Sequence, residues 1–460
     1  MRWARFLSNY GMLAVLLLLA GFFSVVTLRD QHPSGAAAAR GLLAGPAGAR
    51  LQSAQGTILI AVRGASHADQ AFAGELHDRL GAQGVRVRSA RGDPRSVRAA
   101  LEELADDGTG PPAAIAAAHA YAPLVRSVLA EEEAWRHVPV LTPPAYRWPT
   151  FLLPENLFNV ANQIAVIAIL AIGMTMVIIT GGIDLSVGSL IALSAVLVAG
   201  LVGHWGGAAA GTGAMLAAGA GAVLLCGIVG LFSGAMITGF RVPPFIATLG
   251  MMQVASGLAY ILSQGKPIYR LPESFVTLGR GADPLVGIPY AVLLMLALYA
   301  LAHLVMSRTP LGRYVYAVGG NPEAARLAGV RVKGVLLLVY ALNSMLAGLG
   351  GVVMASQLKS GAPTYGLMYE LYVIAAVVVG GTSLSGGEGR IFGTLIGAFI
   401  IAVIQNGMNL TNVESYTQKV VLGFVILGAV LLDRLRHGAW FWRRRPRRRP
   451  PEPRGSDVIR

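Results

Sequence analysis

The chain has 460 residues, of which 54% are apolar, 13% are charged and 58 are glycine. Soluble domains carry roughly 25% charged residues, so an ordinary water-soluble enzyme is excluded, and so much apolar surface excludes a disordered chain. The net charge of +14 raises nucleic-acid binding as a function, while a single cysteine, Cys226, excludes a disulfide framework and a cysteine-based zinc cluster.

Taken in chain order, the first element is an apolar run over 9–28, behind Arg2 and Arg5. It outlasts the 7–15 residues of a signal-peptide core and predicts a first transmembrane helix within 1–28. Residues 29–147 then hold 13 Arg and 12 Asp/Glu, the balance of a soluble insert. An Ala/Gly-rich linker is expected over 29–50 and an extracytoplasmic α/β domain over 51–147. Thr57–Val62 is a buried-strand run, and His67–Leu80 has Phe72, Leu76 and Leu80 at helical spacing. A strand over Val85–Arg88 leads to Asp93 and Pro94, which open a helix carrying Val97, Leu101 and Leu104. Ala113–Ala118, Pro123–Arg136 and Val138–Leu141 complete a β-α-β-α-β-α-β order, hence a small, mostly parallel sheet.

That order resembles one lobe of the periplasmic sugar-binding proteins that serve bacterial importers. The resemblance rests on TILIAV, VRVRSARGDPRSVRAALEEL, PAAIAAAH and HVPVLTP. It implies ligand contacts at the strand ends, where Arg63, Ser66 and His67 are candidates. A single lobe lacks the second jaw that would close on a sugar.

Nine further apolar stretches follow, near 157–180, 185–203, 213–235, 245–263, 288–306, 334–357, 368–384, 391–411 and 418–433. The expected fold is therefore a polytopic α-helical membrane protein of about ten transmembrane helices, with a small α/β domain inserted after the first. GGIDLSVGS (181–189) joins two spans, and Asp184 is placed to cap the next helix. In Ser307–Lys333, Asn321, Pro322 and Glu323 predict a short amphipathic helix over Pro322–Leu327, ended by Gly329. GGTSLSGGEGR (380–390) mimics an ABC ATPase signature, but the chain has no GxxxxGK[ST] phosphate loop, so it reads as a tight turn.

GGIDLSVGS, VPPFIATLG, GGNPEAARLAGV, GGTSLSGGEGRIFGTLIGAFII and IQNGMNL together resemble the permease subunit of ribose-type, monosaccharide ABC importers. The likeness covers the permease transmembrane domain, about 151–434, and leaves 30–147 as an insertion. It implies a transport subunit without catalytic residues or a metal and without a bound cofactor; ATP and Mg belong to a partner ATPase. The implied partners are cytoplasmic ABC ATPase subunits, a periplasmic sugar-binding protein and a second permease copy in a homodimer. Coupling to the ATPase falls on Gly320, Asn321, Pro322, Glu323, Ala324, Ala325, Arg326, Leu327 and Gly329. Intramembrane polar groups mark Asp184, Glu370, Gln405, Asn406 and Asn409 as translocation-path candidates, with interhelical bonding as the bland alternative. Tyr372 stands where the family often has an acidic residue.

The Lys/Arg distribution sets the orientation. Proposed cytoplasmic segments hold 19 basic residues and the outer loops, leaving aside the insert, hold 5. Both termini are then cytoplasmic, in the inner (plasma) membrane of a bacterium, with 29–147 periplasmic. Residues 434–460 carry 10 Arg against Glu452 and Asp457. With Trp440 and Trp442 before it, this basic tail, 435–460, is expected to meet anionic lipid, and no nucleic-acid partner is implied. Two other readings stay open: a membrane-tethered ligand sensor, and a secondary transporter, although no charged relay runs through the spans.

Overall fold

A computed structural model describes residues 2–443 apart from Ala65, Thr109 and Arg270; the side chains of 2–10 and 432–443 are outside that description. The arginine-rich tail after Arg443, and the expected lipid contacts of Trp440 and Trp442, therefore lie outside the described residues. The chain divides into two compact units, one of residues 1–27 with 151–460 and one of Leu28–Thr150.

The first unit opens with helix α1 (Arg2–Val26). The second unit follows: β1 (Leu28–Gln31), α2 (Gly35–Ala44), α3 (Pro46–Gln52), β2 (Thr57–Val62), α4 (His67–Ala82), β3 (Arg86–Arg91), α5 (Pro94–Asp106), β4 (Ala114–Ala117), α6 (Ala122–Glu131), β5 (Val140–Leu141) and β6 (Tyr146–Pro149). Its main sheet is wholly parallel in the order β3-β2-β4-β5. Strand β2 is central, and its alternation feeds two cores. Ile58, Ile60 and Val62 pack with Leu42, Phe72, Leu76 and Leu80 on one face. Leu59 and Ala61 pack with Val97, Leu101, Val125 and Trp135 on the other. A strand buried on both sides needs the unbroken apolar run that TILIAV supplies.

The expected linker is a structured part of this unit. Alanine-rich 35–44 is helical because alanine loses least on entering a helix, and Pro46 fits the first turn of α3. Ala38, Ala39, Leu42 and Leu51 are fully buried. The antiparallel pair β1–β6, with Leu28 opposite Pro149 and Gln31 opposite Tyr146, gave no sequence signal. Its charged, exposed segments LRDQ and YRWP lack the alternation of a half-buried strand.

The first unit resumes with α7 (Pro154–Ile179), α8 (Val187–His204), α9 (Thr212–Gly239), α10 (Pro244–Ser263), α11 (Thr277–Arg280), α12 (Tyr290–Arg308), α13 (Pro310–Gly320), α14 (Pro322–Leu327), α15 (Val332–Leu358), α16 (Tyr369–Val379), α17 (Ile391–Leu410) and α18 (Ser415–Arg443). Among the described residues seven helices are long and apolar enough to cross a membrane, and shorter apolar helices cover Gly11–Val26, Tyr369–Val379 and Ser415–Leu431. Together these ten coincide with the ten expected spans. The most apolar window of α7 is 89% buried, against 17% for α10, so α7 is the central helix and α10 a peripheral one. The apolar stretch at 368–384 is shorter than expected as a helix. It begins at Tyr369 and ends at Val379, before Gly380 and Gly381, too short for the roughly 20 residues a full span needs. Helix α13 was not foreseen; Pro310 opens it, and Val315 and Val318 are buried along it.

Candidate coupling and translocation sites

One end of the bundle is assembled from three turns. Helix α13 stops at Gly320, and Asn321 leaves with extended backbone angles. Its side-chain oxygen accepts the Ala324 amide at 3.0 Å and caps α14. Glu323 accepts from Arg326 at 2.8 Å on the exposed side of that helix. Ala325 is buried, Leu327 is 84% exposed, and Gly329 turns the chain with φ +85° while donating to the Arg326 carbonyl. An exposed apolar tip thus stands beside an ion pair on a capped single turn.

Helix α13, which leads into α14, packs closely on main chain. A Cβ on Gly319 would collide with the Ile179 carbonyl at the end of α7 and crowd the Gly387 amide. Gly387 donates its amide to that same Ile179 oxygen at 2.8 Å, and the Tyr316 hydroxyl donates to the Gly389 carbonyl at 2.8 Å. Helix α13, the end of α7 and the turn before α17 thus meet with almost nothing between their backbones.

The next turn, 180–186, carries Asp184, which is fully buried. Its Oδ1 accepts the Ser186 amide at 2.9 Å and the Ser186 hydroxyl at 2.6 Å. Its Oδ2 accepts the side-chain amide of Asn343 at 2.8 Å. Asn343 belongs to α15, the helix that follows α14, so one carboxylate ties the α7–α8 turn to that helix. Ser186 itself is the residue before α8.

At the opposite ends of α7, α15 and α17 lies a cavity of about 290 Å³. Gln163, Gln357, Tyr369 and Gln405 line it beside aliphatic walls that include Ile164 and Met354. Of the five path candidates only Gln405 reaches this cavity. Asp184 is engaged as above. Glu370 is half-buried in the first turn of α16, its carboxylate facing Gly188 and the Gly366 carbonyl. Asn406 and Asn156 exchange reciprocal amide hydrogen bonds at 3.0 and 2.9 Å. Asn409 accepts from Gln418 at 2.8 Å. Gln163, Gln357 and Tyr369 escaped the sequence reading, although the signal was present: one glutamine in each of three spans, toward the same end. A larger cavity of about 930 Å³ beside α9 is walled mainly by aliphatic groups such as Leu216, Val223 and Leu278 and, among the described residues, gathers no amide or charge.

In the second unit, Arg63, Ser66 and His67 stand just past the carboxyl end of β2. Ser66 accepts the Asp69 amide at 3.0 Å as the cap of α4, His67 is that helix's first residue, and Arg63 is exposed. The same edge holds His119, whose ring stacks on His32 with centroids 3.3 Å apart. Burial, His32 and Arg126 together hold the His119 imidazole below its usual range. Tyr121 donates to the Gly92 carbonyl at 2.9 Å, and burial pushes its hydroxyl above the usual tyrosine range. This is an open shelf at the carboxyl edge of a parallel sheet, the place where such sheets bind ligands. Among the described residues, no three His, Cys, Asp or Glu side chains are grouped to hold a metal ion.

Comparison with known proteins follows the same division. Residues 156–430, all in the first unit, match the family described as branched-chain amino acid transport system / permease component. The ribose import permease proteins of Bacillus subtilis and Escherichia coli are each 45% identical to this chain, over 62% of it and 87% of their own length. The D-allose transport system permease protein of Escherichia coli is 37% identical over 62% of this chain and 85% of its own. No solved structure matches the chain.

Proposed function

This chain belongs to the branched-chain amino acid transport system / permease component family, and from that premise we propose how its parts divide the work of import. It is the transmembrane permease subunit of an ATP-binding cassette importer for a monosaccharide-like solute, a transport component rather than an enzyme. Its partners are ATPase subunits and a substrate-binding protein, and it resides in the inner membrane as a multi-pass protein.

The finer assignments are our reading. The segment Gly320–Gly329 receives the stroke of the ATPase; Asn321 and Pro322 set the start of α14, and Glu323, Ala324, Ala325, Arg326 and Leu327 form the gripped surface. ATP and Mg are held by the ATPase, none by this chain. Two copies form a homodimer, both termini face the cytoplasm, the second unit is periplasmic, and the basic tail contacts anionic lipid. The observation that carries the coupling role is the exposed α14 tip following directly on α13, whose Gly319 packs on the Ile179–Gly387 junction. The strand-edge shelf of Arg63, Ser66 and His67 is assigned to ligand or partner contact outside the membrane.

The test is uptake by the permease reconstituted with its ATPase and binding protein. ATP-dependent accumulation of ribose, D-allose or L-arabinose, the sugars named for its relatives, is the expected result. Movement driven by an ion gradient without the ATPase would overturn the reading.

A further inference from the structure

We infer that the cavity among α7, α15, α16 and α17 is a solute-binding station inside the permease, built for a neutral polyol and against a zwitterion. The inference rests on the permease reading and goes beyond it, because it places solute discrimination in the membrane subunit as well as in the binding protein.

The lining carries the argument. Gln163, Gln357 and Gln405 approach from three different helices, and each brings a primary amide with a carbonyl acceptor and two N–H donors. Gln357 spends an N–H on the Asn162 carbonyl at 2.9 Å, which fixes that side chain. Gln163 and Gln405 make no side-chain hydrogen bond among the described residues. A sugar hydroxyl is donor and acceptor at once, so a ring of amides matches it whichever way it turns. Val160, Ile164 and Ile167 flank Gln163 on one face of α7, and Met354 stands one turn from Gln357 on α15; these aliphatic groups suit the C–H face of a sugar ring, and the Tyr369 ring adds an aromatic surface. At about 290 Å³ the space falls at the low end of small-molecule pockets, roughly 300–1,000 Å³, a size for a single small solute.

Among the described residues the lining has no Asp, Glu, Lys or Arg. An amino acid would bring an ammonium and a carboxylate into this space, and neither would meet an opposite charge. Gln163 is exposed at the mouth and Gln357 and Gln405 are half-buried, so a charge entering here gives up part of its water and gains no partner, which is disfavoured. A neutral monosaccharide suffers no such penalty. Within a family whose description includes branched-chain amino acid transport, an uncharged amide ring is therefore a specificity device. Its position matters too: it lies at the ends of α7, α15 and α17 remote from the coupling turns, so solute contact and ATPase contact act on opposite ends of the same helices.

The experiment uses the full assembly of permease, ATPase and binding protein in liposomes, with labelled D-ribose, D-allose and L-arabinose as probes. The Gln163→Leu/Gln405→Leu double variant should lower uptake at least about tenfold, while the sugar-loaded binding protein still stimulates ATP hydrolysis. If the double variant fails to assemble, Gln405→Asn decides, because it keeps the amide and shortens its reach. It should change the ratio of D-ribose to L-arabinose uptake by about threefold or more. Uptake within about twofold of the unaltered assembly, or an unchanged ratio in Gln405→Asn, would overturn the inference and leave the permease reading standing. Failure of the unaltered assembly to move any of the three sugars overturns both.

Discussion

The amide of Gly387 donates to the carbonyl of Ile179 at 2.8 Å, so the turn before α17 is hydrogen-bonded to the last residue of α7. Gly319 presses against the same carbonyl from α13. A displacement of α14 therefore reaches two other helices through main-chain contacts that have little room to yield. Gly319→Ala should wedge this junction apart. Overpacking of this kind costs about 1–3 kcal/mol, so the melting temperature should fall, and ATP-driven uptake should drop at least about tenfold with the ATPase still bound. Uptake measured beside co-purification of the ATPase separates lost coupling from lost assembly.

Glu323→Ala/Arg326→Ala should behave in the opposite way. The pair is exposed on both sides, and exposed ion pairs contribute about 0–1 kcal/mol. Thermal unfolding should shift little, while stimulation of ATP hydrolysis by the loaded binding protein is lost. A normal stimulation in the double variant would remove α14 from the coupling path.

Asn343→Leu tests the buried clamp. Without the Asn343 amide, Oδ2 of Asp184 loses its donor in a fully buried site. A buried acceptor left unpaired costs about 1–3 kcal/mol, more if charged. The variant should be markedly less stable in detergent, and Asp184→Asn in the Asn343→Leu background should recover part of the loss because it replaces the acceptor left without a donor. Equal melting temperatures for Asn343→Leu and the unaltered protein would contradict the clamp.

His119 supplies a pH dependence. Its imidazole is held below the ordinary value of 6.5 in the folded state, so the folded second unit binds fewer protons than the unfolded one. Stability from this group is present at high pH and declines as pH falls through about 6.5 toward the folded value. Hydrogen exchange of residues 114–121 in the full-length protein should quicken as pH drops through that window, after correction for the intrinsic rate. His119→Gln should flatten the dependence.

What could be read in advance divides along physical lines. The spans were legible because lipid demands long apolar runs, and the start of α14 because Asn-Pro-Glu is a local capping signal. TILIAV announced its strand because a doubly buried strand must be apolar throughout. The β1–β6 ribbon left no trace, since two short exposed strands need only each other's backbone. The path candidates meet different partners for a related reason. Sequence marks a polar residue in a span, but its partner decides its role: Asn406 is consumed by Asn156, 250 residues away, and Asp184 by Asn343. Gln163 and Gln357 gained meaning only when three helices brought them to one cavity.

The β1–β6 ribbon makes the second unit a detour with a common entrance and exit. Leu28 stands opposite Pro149, so the chain returns beside the point where it left. Domains whose ends adjoin are the ones that graft into a host with least disturbance. A short turn closing the ribbon should thus excise the whole unit as one cassette, and a different α/β module should be transplantable onto the same two strands. The chain thereby has, at a single position, a socket in which whole α/β modules are exchangeable.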